Sequence, residues 1–73
     1  MEGNQHHNDT IHTEKIITDR KKFYIDLKKN ARGKVLKITE DVGGNRDTIM
    51  VPAEILPDFI EALKAIEEVS ENH

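Results

Sequence analysis

Cysteine is absent from this 73-residue chain. No disulfide can therefore reinforce a small core, thiolate metal sites are excluded, and nothing indicates an oxidising compartment. No segment combines the basic start, apolar stretch and small-residue cleavage site of a signal peptide. None approaches the roughly 20 apolar residues of a membrane span. These absences favour the cytoplasm by default.

Catalytic patterns are also missing. No nucleophile has a base at a suitable spacing, and no glycine-rich loop precedes a helix to hold phosphate. The pair Gly43 and Gly44 fits a hairpin turn better. Three histidines, His6, His7 and His12, stand in a polar segment without a regular frame, so no metal and no other cofactor are expected. We expect a protein that is not an enzyme.

The chain as a whole has no excess of positive charge, but one segment of it does. The net charge is -3, yet the segment from Arg20 to Lys37 carries eight Lys or Arg against one acid, Asp26. The segment from Glu54 to His73 carries six acids and one lysine. Phosphate binding depends on local potential, so the basic segment is a candidate nucleic-acid surface.

The domain boundaries follow from composition. Residues 1–12 are almost entirely polar and are predicted to form a disordered tail. Residues 13–70 are predicted to form one small domain, and residues 71–73 a short C-terminal tail. A single core of about sixty residues seldom stabilises a monomer by more than a few kcal/mol, which favours a partner subunit.

Alternating side chains predict most of the strands. A short first strand is expected within 14–18. From Lys22 to Lys29 the apolar residues occupy every second position, which indicates a half-buried strand with Tyr24 and Lys28 on its outward face.

Turn residues at 30–33 then join this strand to the next one, where Leu36 and Ile38 point inward and Val35, Lys37 and Thr39 outward. A looser turn at 42–46 leads to a fourth strand over 47–51, which Pro52 ends.

The C-terminal part predicts one amphipathic helix over residues 53–69. Pro57 lies either in its first turn or at a kink. The fold class is therefore α+β, a four-stranded antiparallel sheet followed by one helix. The helix is expected to cover one sheet face and to leave open the face with Tyr24, Lys28, Asn30 and Lys37.

The open face has two interpretations. The ammonium groups of Lys28 and Lys37 with the Asn30 amide suit phosphate neutralisation and a base-edge hydrogen bond. Alternatively, these lysines only keep an exposed sheet face soluble and discourage edge pairing. Tyr24 is a candidate stacking platform or an ordinary cross-strand packing residue.

The apolar band of the helix is wider than one sheet face requires. One flank could cover its own sheet and the other a partner's, or the helix could lie slightly rolled on its own sheet. The small core favours a homodimer with an apolar interface formed by Leu56, Phe59, Ile60, Leu63 and Ile66.

Several of these segments resemble the repeat of the Pur family, the purine-rich element binding proteins typified by Pur-alpha. The likeness is close at 22–28, at Asn30, Gly33 and 36–38, and it continues at 52–53 and 58–63, so that it covers about 14–69. The resemblance implies β-β-β-β-α repeats, two of which intertwine through their helices. A chain with one repeat is similar to the short bacterial type and should form an intertwined homodimer.

The resemblance also implies a function. Pur proteins bind single-stranded, purine-rich DNA and RNA, prefer G-rich sequences and act in gene expression. Their main contacts match Lys28, Asn30 and Lys37, which coincide with the open face. Where many repeats have a base-stacking aromatic, this chain has Val35, so duplex unwinding is in doubt although an apolar contact with a base is retained.

The leading hypothesis is a homodimeric protein that binds single-stranded DNA and RNA in a bacterial cytoplasm or nucleoid, with no membrane or small-molecule partner. The residues expected to contact nucleic acid are Lys28, Asn30, Lys37, Arg32, Lys34, Tyr24 and Val35. The alternative is a homodimeric protein-interaction module whose basic face is merely solvated.

Overall fold

The computed structural model describes residues 9–73. Their elements are four strands, a single 3-10 turn and one α-helix: β1 Asp9–Ile17, β2 Lys22–Asn30, β3 Gly33–Val42, β4 Asn45–Pro52, the 3-10 turn Ala53–Ile55, and α1 Leu56–Glu71. The strands lie in the order β1-β2-β3-β4, and each neighbouring pair is antiparallel. The predicted four-stranded sheet followed by one helix is confirmed.

Cross-strand pairing sorts the side chains onto two faces. Leu27 pairs with Leu36, which in turn pairs with Val51, so these three share a face. We call it the apolar face, and its members are Ile16, Phe23, Ile25, Leu27, Leu36, Ile38, Ile49 and Val51. We call the opposite side the basic face, and its cations are Lys15, Lys22, Lys28, Lys37 and Arg46.

The turn between β2 and β3 forms as its residues predict. The side-chain oxygen of Asn30 accepts a hydrogen bond from the backbone N–H of Arg32 at 2.9 Å. Gly33 adopts φ 133°, which residues with a Cβ rarely adopt. This tight connection fixes the register of the hairpin and therefore the face on which each of its side chains lies.

The first strand is longer than its sequence indicates. It begins at Asp9 rather than near Glu14, so residues 9–12 of the expected tail pair with β2, while residues 1–8 lie outside the described part of the chain. A β-bulge between Thr10 and His12 breaks the alternation, and for that reason the pattern alone did not indicate a strand there.

The expectation that the helix covers one face of its own sheet is wrong. Leu56 and Phe59 are half-buried, but every residue after Phe59 is exposed, and α1 makes almost no contact with the strands. Pro57 lies in the first turn of the helix, which therefore begins without a kink. The helix ends at Glu71, so only residues 72–73 follow it. Past its first turn the helix leaves the sheet, and its apolar band has no partner among residues 9–73.

The described residues therefore contain very little core. Only two large apolar side chains, Leu36 and Val51, are buried, while eleven others are between 39% and 66% exposed. Four of the eleven, Ile60, Leu63, Ile66 and Val69, lie along α1, and Ile16 and Ile49 lie on the apolar face. No helix within residues 9–73 is long and apolar enough to cross a bilayer.

Because Leu36 lies at the centre of this small core, Leu36→Ala should destabilise the protein by about 2–4 kcal/mol. Ile17→Ala, at a side chain that is 66% exposed, should cost less than about 1 kcal/mol. Urea unfolding at one fixed protein concentration measures both changes. Equal effects of the two substitutions would contradict the position of the core.

Candidate nucleic-acid interface

The basic face brings together the three residues predicted to contact nucleic acid. Lys28 and Asn30 end β2, and Lys37 lies on β3 two positions beyond Val35, the partner of Lys28. All three belong to one face because residues opposite each other in an antiparallel pair point to the same side. Lys28 and Lys37 are half-buried at their stems, and Asn30 is exposed. Two ammonium groups and one amide therefore share a patch at the hairpin end of the sheet.

Asn30 has only part of its hydrogen-bonding capacity free. Its side-chain oxygen accepts from the backbone N–H of Arg32, as the turn requires. That bond occupies one of the two lone pairs of the amide oxygen and leaves both NH2 protons for a ligand. Asn30 can thus donate two hydrogen bonds to acceptors on a base and has less capacity left to accept.

An open groove adjoins this patch between the hairpin tip and the 3-10 turn. Its lining residues are Asn30, Arg32, Gly33, Lys34, Val35, Pro52, Ala53 and Glu54. Val35 pairs with Pro52 on the basic face, so the floor of the groove is apolar and its rim is mostly basic. Such a floor offers a flat contact for a base, and the rim offers cations for phosphate.

The other two predicted phosphate contacts are placed differently. Arg32 lies in the turn, exposed, beside the groove. Lys34 pairs with Lys29, which puts it on the face opposite to Lys37. Lys34 still lines the groove, so a bound strand would reach it only at the hairpin tip.

Tyr24 lies on the basic face nearer the other end of the sheet, and its ring is already approached by two cations. The Lys15 ammonium lies 6.0 Å from the ring centroid, and the Arg46 guanidinium carbon lies 5.5 Å from it. These distances suit cation–π attraction. A base that stacked on Tyr24 would therefore share the ring with Lys15 and Arg46.

Asp41 holds Arg46 in this arrangement. One carboxylate oxygen accepts the backbone N–H of Gly44 at 3.0 Å, and the other accepts the Arg46 Nε–H at 2.9 Å. The Gly44 bond first, and then the Arg46 bond, lower the pKa of Asp41 below its ordinary value of 3.8. Asp41 therefore stays ionised at neutral pH and fixes both the turn and the arginine.

The sequence did not single out Lys15 or Arg46. The face of Lys15 depends on the pairing of β1, and Arg46 was assigned to a loose turn rather than to β4. The positions of both follow from the register, with Lys15 opposite Tyr24 and Arg46 opposite Asp41. His6 and His7 lie outside the described residues, whereas His12 lies in β1 with its Nε2 hydrogen-bonded to Glu14. Within residues 9–73, no group of three His, Asp or Glu side chains is arranged as metal ligands.

With this geometry in place, comparison with known proteins is informative. A family model described as PurA ssDNA and RNA-binding protein matches residues 1–73. The chain belongs to this family. The PurA family is described by nucleic-acid binding and not by an enzymatic activity. The sequence resemblance that indicated this family lies in the β2–β3 hairpin and in the segments 52–53 and 58–63.

Three relatives illustrate the similarity. The transcriptional activator protein Pur-alpha of Mus musculus is 32% identical over 62 residues, which cover 84% of this chain and 19% of that protein. The transcription factor Pur-alpha 1 of Arabidopsis thaliana is 41% identical over 46 residues, 63% of this chain and 16% of that protein. Purine-rich element-binding protein gamma of Homo sapiens is 32% identical over 81 aligned positions, 92% of this chain and 23% of that protein.

The chain thus spans about a fifth of the length of the curated Pur relatives that it matches. No solved structure matches it.

The pKa of Asp41 can be measured by NMR from the pH dependence of its carboxyl carbon shift, and the midpoint should lie below 3.8. Because the pKa of Asp41 is lower in the native state than in the unfolded state, the ionised carboxylate stabilises the fold fully above the unfolded-state pKa. This contribution is lost as the pH falls through the native-state pKa. In Arg46→Gln the midpoint should rise but stay below 3.8, since the Gly44 bond remains. A wild-type midpoint at or above 3.8 would contradict the arrangement.

Proposed function

We propose that this chain binds single-stranded DNA and RNA through its basic face and catalyses no reaction. The observation that carries the proposal is the convergence of Lys28, Asn30 and Lys37 on one open face of the sheet. The PurA family match supports it independently, because the family is described by single-stranded DNA and RNA binding.

The charge distribution of the basic face supports phosphate binding. Its five cations face only two acids, Asp26 and Asp41. Both acids already accept hydrogen bonds from neighbours, Asp26 from the Thr13 hydroxyl and Asp41 from Gly44 and Arg46. A backbone of phosphates laid along this face would meet net positive charge at both ends of the sheet.

The geometry of Asn30 supports a preference for purine-rich, and above all G-rich, strands. Its oxygen already accepts one hydrogen bond, whereas both of its NH2 protons remain for a ligand, so it suits an edge that presents acceptors. The N7 edge of guanine presents two acceptors, N7 and O6, whereas the same edge of adenine presents one acceptor and one donor. Asn30 would thus discriminate towards guanine by donating.

Three apolar or aromatic residues complete the proposed site. Val35 and Pro52 offer a contact surface to a base beside Asn30. Tyr24 offers a second one further along the face, where base–aromatic stacking typically contributes about 1–3 kcal/mol. Because Val35 lacks an aromatic ring, we expect binding of strands that are already single and no strong separation of a duplex.

The proposed role is regulation of gene expression in the cytoplasm or nucleoid. Curated relatives are named as a transcriptional activator and a transcription factor, which supports this role for a related binding module.

The proposed form of the protein is a homodimer. In the described part of each copy, the apolar sheet face is covered only around Leu36 and Val51, and the apolar helix band after Phe59 has no partner. Two copies related by a two-fold axis would cover both at once, the helix of each lying on the apolar face of the other. The proposed interface residues on α1 are Leu56, Phe59, Ile60, Leu63 and Ile66.

Fluorescence anisotropy of a labelled G-rich single strand, as DNA and as RNA, tests the binding proposal. Lys28→Ala/Asn30→Ala/Lys37→Ala should lower the affinity at least about tenfold, since each hydrogen bond to a charged group typically contributes about 1.5–3 kcal/mol. The slope of log affinity against log salt should become shallower by about 1.4, because two phosphate contacts are removed at about 0.7 each.

The matched control is Lys29→Ala/Lys64→Ala, which removes the same charge from the apolar side of the hairpin and from the helix. It should bind like the wild type within about threefold. Equal losses of affinity in the two variants would indicate that binding depends only on the overall charge of the protein. Wild-type protein that captures a protein partner after nuclease treatment, yet shifts neither labelled strand, would favour the alternative of a protein-interaction module.

Sedimentation equilibrium tests the dimer, whose mass should be twice 8.4 kDa. Leu63→Gln should weaken association at least about tenfold, since burial of a leucine contributes about 1.5–3 kcal/mol. Glu61→Gln, on the opposite side of α1, is the control and should leave association unchanged. A wild-type mass of one chain at micromolar concentration, with a thermal midpoint independent of concentration, would refute the dimer.

A further inference from the structure

Two threonines of β1 contact charged residues of the basic face. Lys28 Nζ donates a hydrogen bond to Thr10 Oγ1 at 3.0 Å. Thr13 Oγ1 donates to Asp26 Oδ1 at 2.6 Å. Both threonines are exposed and lie at the edge of the sheet, so burial does not account for them. Each of the two bonds constrains a charged group close to Asn30 and Lys37.

The β-bulge is what brings Thr10 to Lys28. His12 pairs with Leu27, so an uninterrupted strand would set Ile11 opposite Lys28 and Thr10 opposite Lys29, on the apolar side. The bulge inserts Ile11 without a partner, and Thr10 becomes the residue opposite Lys28. The bulge thus places the Thr10 hydroxyl, and not the Ile11 side chain, next to Lys28.

Fixing Lys28 in advance favours binding. A lysine side chain is flexible, and a ligand that immobilises it has to overcome the loss of its rotamer freedom. The bond to Thr10 uses one of three ammonium protons and leaves two donors for a phosphate. The Lys28 side chain has therefore lost part of its rotamer freedom before the nucleic acid binds.

Holding Asp26 has the complementary effect on Lys37. Asp26 lies directly opposite Lys37 in the pairing of β2 with β3, a position in which opposite charges normally attract. Among the ion pairs of residues 9–73, none joins these two side chains. Asp26 Oδ1 instead accepts the Thr13 hydroxyl, an orientation in which the carboxylate makes no ion pair with the Lys37 ammonium.

We propose that β1 is the positioning strand of the nucleic-acid face, in which Thr10 orients Lys28 and Thr13 keeps Asp26 from neutralising Lys37. The inference rests on the proposed function. Thr10 and Thr13 are positioning residues, because they act through their charged neighbours and not through contacts of their own with the strand.

A double-mutant cycle on Thr10→Val and Lys28→Met tests the first half, with anisotropy of the labelled G-rich strand at low salt, where the weakened variants still bind. Valine keeps the shape of threonine and removes the hydroxyl. Thr10→Val should weaken binding about two- to tenfold in the wild-type background, the range of one hydrogen bond, and have no effect in the Lys28→Met background. An equal loss in both backgrounds, or no loss in either, would overturn the role of Thr10.

A second cycle on Thr13→Val and Asp26→Asn tests the other half. Thr13→Val should weaken binding by a similar factor while Asp26 is present, because the freed carboxylate then pairs with Lys37. In the Asp26→Asn background the same substitution should have no effect. A loss of equal size in that background would indicate a purely structural role and overturn the proposal for Thr13.

A measurement on the free protein separates this inference from the proposed function. Side-chain NMR relaxation of the Lys28 ammonium should report greater mobility in Thr10→Val than in the wild type, with no nucleic acid present. Wild-type protein that binds, but shows no coupling in the cycles, refutes the positioning role alone. Wild-type protein that binds no strand refutes both proposals.

Discussion

Leu36 lies between Leu27 and Val51 on the apolar face. The cross-strand pairing that brings these three side chains together also determines which side chains lie on the opposite, basic face. The same pairs of strands set Val35 beside Lys28 and Lys37 opposite Asp26 on the basic face. Burial of leucine and exposure of lysine are therefore two results of one register. The arrangement of cations on the basic face therefore depends on a small apolar contact on the other side of the sheet.

The remaining apolar surface lies apart from the basic face. Within residues 9–73, the helix and the apolar face each lack a partner, and the basic face lies on the other side of the same sheet. Association through the first two surfaces would leave the third open. In such a dimer, one sheet would carry the subunit interface on its apolar face and the nucleic-acid surface on its basic face. Only the thickness of the sheet would separate the two surfaces.

How far the sequence predicted this arrangement differs from element to element. The hairpin of β2 and β3 was predicted closely, because its alternation is regular and Asn30 and Gly33 have conformational roles that their chemistry makes recognisable. The start of β1 was missed because a bulge interrupts the period at Ile11. The path of α1 was missed for another reason, since an amphipathic band indicates that a helix has a partner and not where that partner lies. Of the candidate site, Lys28, Asn30 and Lys37 were predicted to share one face and do so in the register of β2 and β3, whereas the positions of Lys15 and Arg46 required the register of the outer strands.

The bulge also makes the strands unequal in their tolerance of changes in chain length. Loss of one residue within β2 would move every side chain beyond it to the other face and exchange lysines with leucines. Loss of Ile11 would leave Thr10 opposite Lys28 and His12 opposite Leu27, since the bulged residue has no partner of its own. Deletion of residue 11 should therefore leave both faces undisturbed, whereas deletion of a residue within β2 should not.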